Sequence, residues 1–142
     1  MFRSDVKRVK QVLVNLISNS YKFTETGSIS VKVRLVHRNN SQLLQFSVVD
    51  TGIGISEQDM PKLFKMFGTI QKNINQLSPS GSGIGLSISK KIVESLGGEI
   101  RVVSVENEMT NFTFTIINMV AEHQLVRIEH DDIDEFQVMI NT

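Results

Sequence analysis

Apolar residues recur at intervals of three and four from Asp5 to Tyr21, at Val6, Val9, Leu13, Leu16 and Ile17, which places them on one face of an α-helix. The opposite face carries Arg8, Gln11, Asn15, Asn19 and Lys22 at the same period. Solvated helix faces favour Glu and Lys, and Asn is a poor helix former, so two Asn in mid-helix imply a use beyond solubility. Gly27 ends this segment. Ile29, Val31, Val33 and Leu35 then alternate with Ser30, Lys32 and Arg34, the period of a half-buried strand. Asn39-Asn40 reads as a turn. The apolar-rich run from Leu43 to Val49 leads into Asp50, so the pair predicts an antiparallel hairpin that delivers a carboxylate at a strand end.

Ser56 suits the N-cap of a short helix containing Leu63, Phe64 and Phe67, with Asp59 as its reaching-back partner. Residues 68–82 lack periodicity and are rich in Asn, Gln, Ser and Gly, a loop pattern read here as a lid. A second amphipathic helix is predicted over 84–96, stopped by Gly97-Gly98, the first of which suits a left-handed C′ position. Strands over 99–105 and 112–120 follow. The order of elements predicts an α+β fold, a two-layer α/β sandwich with helices on one face of a mixed, mostly antiparallel sheet, over residues 1–120. Residues 121–142 form a tail, either a linker or an added edge strand, since Phe136, Val138 and Ile140 alternate.

A length of 142 residues with 40% hydrophobic positions suffices for one core and one domain. Fifteen basic residues balance fifteen acidic ones, so no net field draws in nucleic acid, and none is expected as a partner. The absence of cysteine excludes disulfides and thiolate metal sites. No apolar run approaches the roughly eighteen residues of a membrane span, and no direct membrane contact is expected. The expected location is cytoplasmic; a membrane anchor, if the full-length protein carries one, lies outside these residues. His123, His130, Asp131, Asp132 and Asp134 offer metal-ligand chemistry without supporting spacing, and read as a solvated tail.

Three blocks carry the chemistry. The polar stripe through Asn15, Asn19 and Lys22 offers amide oxygens and a cation for a metal and phosphates. Asp50-Thr51-Gly52-Ile53-Gly54-Ile55 places an accept-only carboxylate beside glycines that permit close backbone approach; alone, such an Asp-x-Gly is an ordinary turn. Gly81-Ser82-Gly83-Ile84-Gly85-Leu86 opens a helix, where unpaired N–H groups and the helix dipole favour phosphate oxygens. No Lys-Ser/Thr follows as in a phosphate loop, and no strand leads directly into it as in a dinucleotide fold. Phe64 and Phe67, taken alone, read as core residues.

In this order the blocks make residues 5–117 resemble the catalytic, ATP-binding domain of sensor histidine kinases, in the superfamily shared with gyrase, ATPase chaperones and mismatch-repair ATPases. The resemblance implies the fold named above, with its first strand missing here, and ATP and Mg²⁺ as ligands. It implies that Asn19 holds Mg²⁺, with Asn15 beside it and Lys22 reaching phosphate oxygens, Asn15 and Lys22 being the candidate catalytic residues. It implies that Asp50 accepts a hydrogen bond from the adenine amino group while Gly52, Gly54 and Ile55 border the base. Gly81, Ser82, Gly83, Ile84, Gly85 and Leu86 would serve the phosphates, and Phe67 with Phe64 would anchor the lid. Two departures stand out: Lys65-Met66 where Glu-Pro is common, and Asn107-Glu108-Met109-Thr110 where Gly-x-Gly-Ser/Thr is frequent, which leaves Thr110 as the adenine-side hydroxyl in a bulkier corner.

ATPase relatives of that superfamily place a general-base Glu where this chain has Asn15, and a neutral amide takes no proton. Transfer to an external acceptor is therefore expected over hydrolysis. His37, His123 and His130 lack the acceptor context, so the implied partners are a separate His-bearing dimerisation or phosphotransfer domain and a downstream response regulator. The alternatives are a non-catalytic nucleotide-sensing or interaction module and a serine kinase of the same superfamily.

Overall fold

A computed structural model describes residues 5–38, 41–65, 84–117 and 135–142. The Asn39-Asn40 turn, Phe67, the lid over 68–82, Gly81 to Gly83, the end of the strand expected to 120, and the His and Asp residues of the tail lie outside the described residues. The elements are α1 (Val6–Phe23), β1 (Ser28–Arg38), β2 (Ser41–Asp50), a 3₁₀ turn (Met60–Lys62), α2 (Gly85–Ser95), β3 (Ile100–Val105), β4 (Met109–Ile117) and β5 (Glu135–Asn141).

The strands form one sheet in the order β3-β4-β2-β1-β5. All of its pairings among the described residues are antiparallel, the antiparallel extreme of the mixed sheet expected. Alternation sorts the strands into two faces. Ile29, Phe46, Val48, Phe112, Phe114 and Ile116 point to the helices and join Val9, Val12 and Leu16 of α1 and Val93 and Leu96 at α2 in one core. Phe46 and Phe114 stack across the ladder with ring centroids 4.7 Å apart. The class is the α+β two-layer arrangement expected.

Cap chemistry sets the helix ends. The Asp5 carboxylate accepts from the Arg8 amide and opens α1. At the end of α2, Gly97 takes φ +74. Its N–H donates to Glu94 O at 3.0 Å and that of Gly98 to Val93 O at 3.0 Å, the paired bonds of a Schellman stop.

Two expectations are corrected. The buried line of α1 is Val9, Val12, Leu16 and Ser20, while Val6 is exposed and Leu13 and Ile17 are half-buried. α1 packs on α2 as well as on the sheet, which draws Val12 inward. Arg8 bonds Ser95, the last residue of α2, so Val6 lies beyond the covering helix. The short helix after Ser56 is a 3₁₀ turn instead: Pro61 sits in its first turn, and the Ser56 hydroxyl donates to the Asp59 carboxylate at 2.9 Å in place of a backbone cap.

Phe114 is fully buried at the centre of the core. Phe114→Ala is expected to destabilise the fold by about 3–5 kcal/mol, measured as a lowered urea midpoint with an unchanged slope; a loss under about 1 kcal/mol would contradict this packing.

Candidate functional site

The end of β2, the last turn of α1 and the loop after Asp50 meet at one end of the sheet. Asp50 is 3% exposed, and its carboxylate is held from two sides. The Ser20 hydroxyl donates to Oδ2 at 2.9 Å and the Gly52 amide to Oδ1 at 3.1 Å. Burial raises its pKa above the ordinary carboxylate value; the Ser20 hydroxyl, the Gly52 amide and the Thr24 hydroxyl each pull it back. Thr24 Oγ1 is itself buried with no hydrogen bond of good geometry among the described residues. Among the described residues no charged neighbour contributes to the shift. Neutral donors from these residues hold the carboxylate in a low-dielectric corner, with acceptor capacity left for one more N–H.

The loop over 51–55 is laced to its surroundings through backbone. Ile53 N–H donates to Phe23 O at 3.1 Å, and Ile55 N–H to Ser104 Oγ at 2.9 Å. A side chain at Gly52 would collide with the Phe23 carbonyl. Gly54 has φ +62, and a Cβ there would strike the Val105 carbonyl. Thr110 lies opposite Asp50 in the β2–β4 register, is buried, and shares a 2.9 Å hydrogen bond with Ser104. Asn107 adopts φ 63, a left-handed conformation that Asn tolerates, and its N–H donates to Ile53 O at 2.8 Å.

The polar stripe of α1 faces α2, which runs antiparallel to it, as Arg8 meets Ser95 and Asn15 meets Ser89. The Asn15 amide donates to the buried Ser89 hydroxyl at 2.9 Å, and its oxygen lies where a side chain at Gly85 would go. Asn19, half-buried one residue before Ser20, has no hydrogen-bond partner for its amide among the described residues. Lys22 places its ammonium 5.3 Å from the Phe23 ring centroid. α2 begins at Gly85 with Ile84 at the N-cap, and among the described residues it has no side-chain cap and no acidic residue in its first turn, the arrangement that suits an anion at its leading N–H groups.

Asn15, Asn19, Lys22, Asp50, Gly52, Gly54, Ile55, Ile84, Gly85, Leu86 and Thr110 thus lie on elements that converge at one end of the fold. Leu86 and Ile55 also pack against the core, and Phe64 meets Phe112 edge-on at 6.5 Å, a core contact. Reading the residues alone missed Ser20, Thr24, Ser89 and Ser104. Ser20 was detectable in principle: it continues the buried line from Leu16, a hydroxyl in a position otherwise occupied by apolar side chains.

Residues 4–118 match the family of histidine kinase-, DNA gyrase B- and HSP90-like ATPases. The aerobic respiration control sensor protein ArcB of Escherichia coli is 36% identical over 130 residues, covering 91% of this chain and 16% of ArcB. The sensor histidine kinase GacS of Pseudomonas protegens is 40% identical over 113 residues, covering 79% of this chain and 12% of GacS. Among solved structures, full-length ShkA in complex with AMPPNP aligns over 84% of this chain and 24% of its own, with a TM-score of 0.64 and 26% identity. The chain therefore spans a small part of the length of these relatives.

The folded state holds the Asp50 proton more tightly than the unfolded chain does, so ionising this carboxyl weighs against the fold above the unfolded pKa. Asp50→Asn is expected to raise the melting temperature at pH 7, with the gain shrinking as pH falls towards about 4. A lower melting temperature for the variant at pH 7 would show that the donors around Asp50 outweigh its burial.

Proposed function

Because the chain belongs to the histidine kinase-, DNA gyrase B- and HSP90-like ATPase family, we propose that it binds MgATP and donates the γ-phosphoryl group to a His on a separate dimerisation domain, in two-component signalling. The observation that carries this reading is the buried Asp50 carboxylate, accept-only and already holding two donors, on a fold that also presents a helix start with no side-chain cap among the described residues. A carboxylate accepts from the amino group of adenine and is repelled by the carbonyl that guanine has in its place, so Asp50 selects the base. Thr110, across the ladder, supplies a hydroxyl on the same side.

The residues present fit a magnesium-bridged triphosphate. Mg²⁺ takes few protein oxygens and shares substrate phosphates, and Asn19 offers an amide oxygen with no partner among the described residues. When bound, the ion neutralises charge on the phosphates. Lys22 and the leading N–H groups of α2 would hold phosphate oxygens and orient the terminal phosphoryl for in-line attack. Asn15 is tied to Ser89 and carries no base, so water is not activated in its place and the phosphoryl group waits for an external nucleophile. The Asn15–Ser89 bond keeps the phosphate end of α2 registered against the metal end of α1.

Asn19→Ala is expected to weaken Mg²⁺-dependent ATP binding by about tenfold or more in isothermal titration, with little change in Mg²⁺-free binding. Equal affinity in the presence of Mg²⁺ would remove Asn19 from the metal. Incubation with radiolabelled ATP, Mg²⁺ and the His-bearing domain of the same full-length protein should give an acid-labile phosphoprotein and negligible phosphate release without that domain. An acid-stable label would assign the chain to serine phosphorylation, and no label on any such domain would contradict transfer.

A further inference from the structure

Ser20 stands at a position where the helix pattern calls for an apolar side chain. It follows Val9, Val12 and Leu16 along the buried line of α1 and is 2% exposed. A hydroxyl there needs a partner, and it has one: Asp50 Oδ2 at 2.9 Å, with both side chains buried. Hydrogen bonds to charged groups are stronger than neutral ones, and stronger again away from water.

Among the described residues, everything else that faces the carboxylate is neutral. Gly52 N–H donates to the other oxygen, and the Thr24 hydroxyl stands near. Ile29 and Thr110 flank Asp50 across the ladders from β1 and β4, and Ser104 of β3 bonds Thr110. Among the described residues, no Lys, Arg or His acts on it. The Ser20 hydroxyl also occupies Oδ2, which leaves the remaining acceptor directions of the carboxylate to the ligand.

We infer that Ser20 is a positioning residue for base selection: its hydroxyl fixes the orientation of Asp50 and keeps it an accept-only anion, which is what separates adenine from guanine. This rests on the proposed adenine site. The consequence is a link between proton and base. An ionised Asp50 accepts from adenine, whereas a protonated one can donate to the guanine carbonyl, so selectivity for ATP over GTP narrows as Asp50 takes up a proton.

The test is a series of Ser20→Ala, Ser20→Cys and wild type, each checked for folding by thermal melting. Two quantities are read: the Asp50 carboxyl titration by ¹³C NMR without ligand, and ATP and GTP affinities between pH 5.5 and pH 8, with ~0.5 unit spacing set by the breadth of a single titration. The triphosphate's own titration is common to both nucleotides, so the affinity ratio isolates the base. For Ser20→Ala the Asp50 titration should move to higher pH than in wild type, and the ratio of ATP to GTP affinity should fall several-fold wherever Asp50 is protonated in the variant and still ionised in wild type. Ser20→Cys, with a weaker donor of similar size, should lie between. An Asp50 titration unmoved in folded Ser20→Ala would overturn the inference. A titration that moves while wild type binds neither nucleotide at any pH would instead overturn the adenine site, and with it the role of Ser20 in selecting the base.

Discussion

A buried carboxylate with no cationic partner among the described residues is the constraint around which this end of the fold is arranged. Taking a carboxylate out of water is expensive, and among these residues no Arg or Lys offsets it. Neutral donors must do so, and each comes from a different segment: Ser20 from α1, Gly52 from the following loop, and Thr24 from just beyond the helix. Those segments can meet only if α1 ends beside the end of β2. The bond from Ile53 N–H to Phe23 O and the absence of a side chain at Gly52 make that approach possible.

On the proposed reading, the remaining architecture holds that corner still while a phosphate end is built some distance along α1. The Phe46–Phe114 stack and the surrounding apolar side chains fix α1 and α2 to one face of the sheet. The Asn15–Ser89 and Arg8–Ser95 bonds set the two helices in antiparallel register. The proposed base corner and the start of α2 thereby stand on one scaffold, so in the proposed mechanism binding energy gained at the base is used to place the phosphates, which is how positioning contributes to phosphoryl transfer.

Elements with a clean period were legible in the sequence. α1, the β1–β2 hairpin strands and the end of α2 at Gly97-Gly98 follow from periodicity and cap chemistry, and Asp50 at a strand end followed from the hairpin. What escaped depended on neighbours. Whether Val6 or Val12 is buried is decided by where α2 ends, which no property of α1 encodes. The reduction of a helix to a 3₁₀ turn came from Pro61 and a bond between the Ser56 and Asp59 side chains. The left-handed backbone of Asn107 was not visible in its identity. Ser20 was overlooked because a small hydroxyl in a helix seldom signals anything until its partner is known.

The central claim is that Asp50 reads an adenine base. Isothermal titration of ATP, ADP and GTP into the wild-type chain and Asp50→Asn, with and without Mg²⁺ at neutral pH, tests it most directly. The account predicts adenine-selective binding that Mg²⁺ strengthens for ATP and that the substitution reduces by about tenfold or more, consistent with loss of a charged hydrogen bond. Equal affinity for GTP, or binding of ATP unaffected by Asp50→Asn in a folded protein, would contradict it.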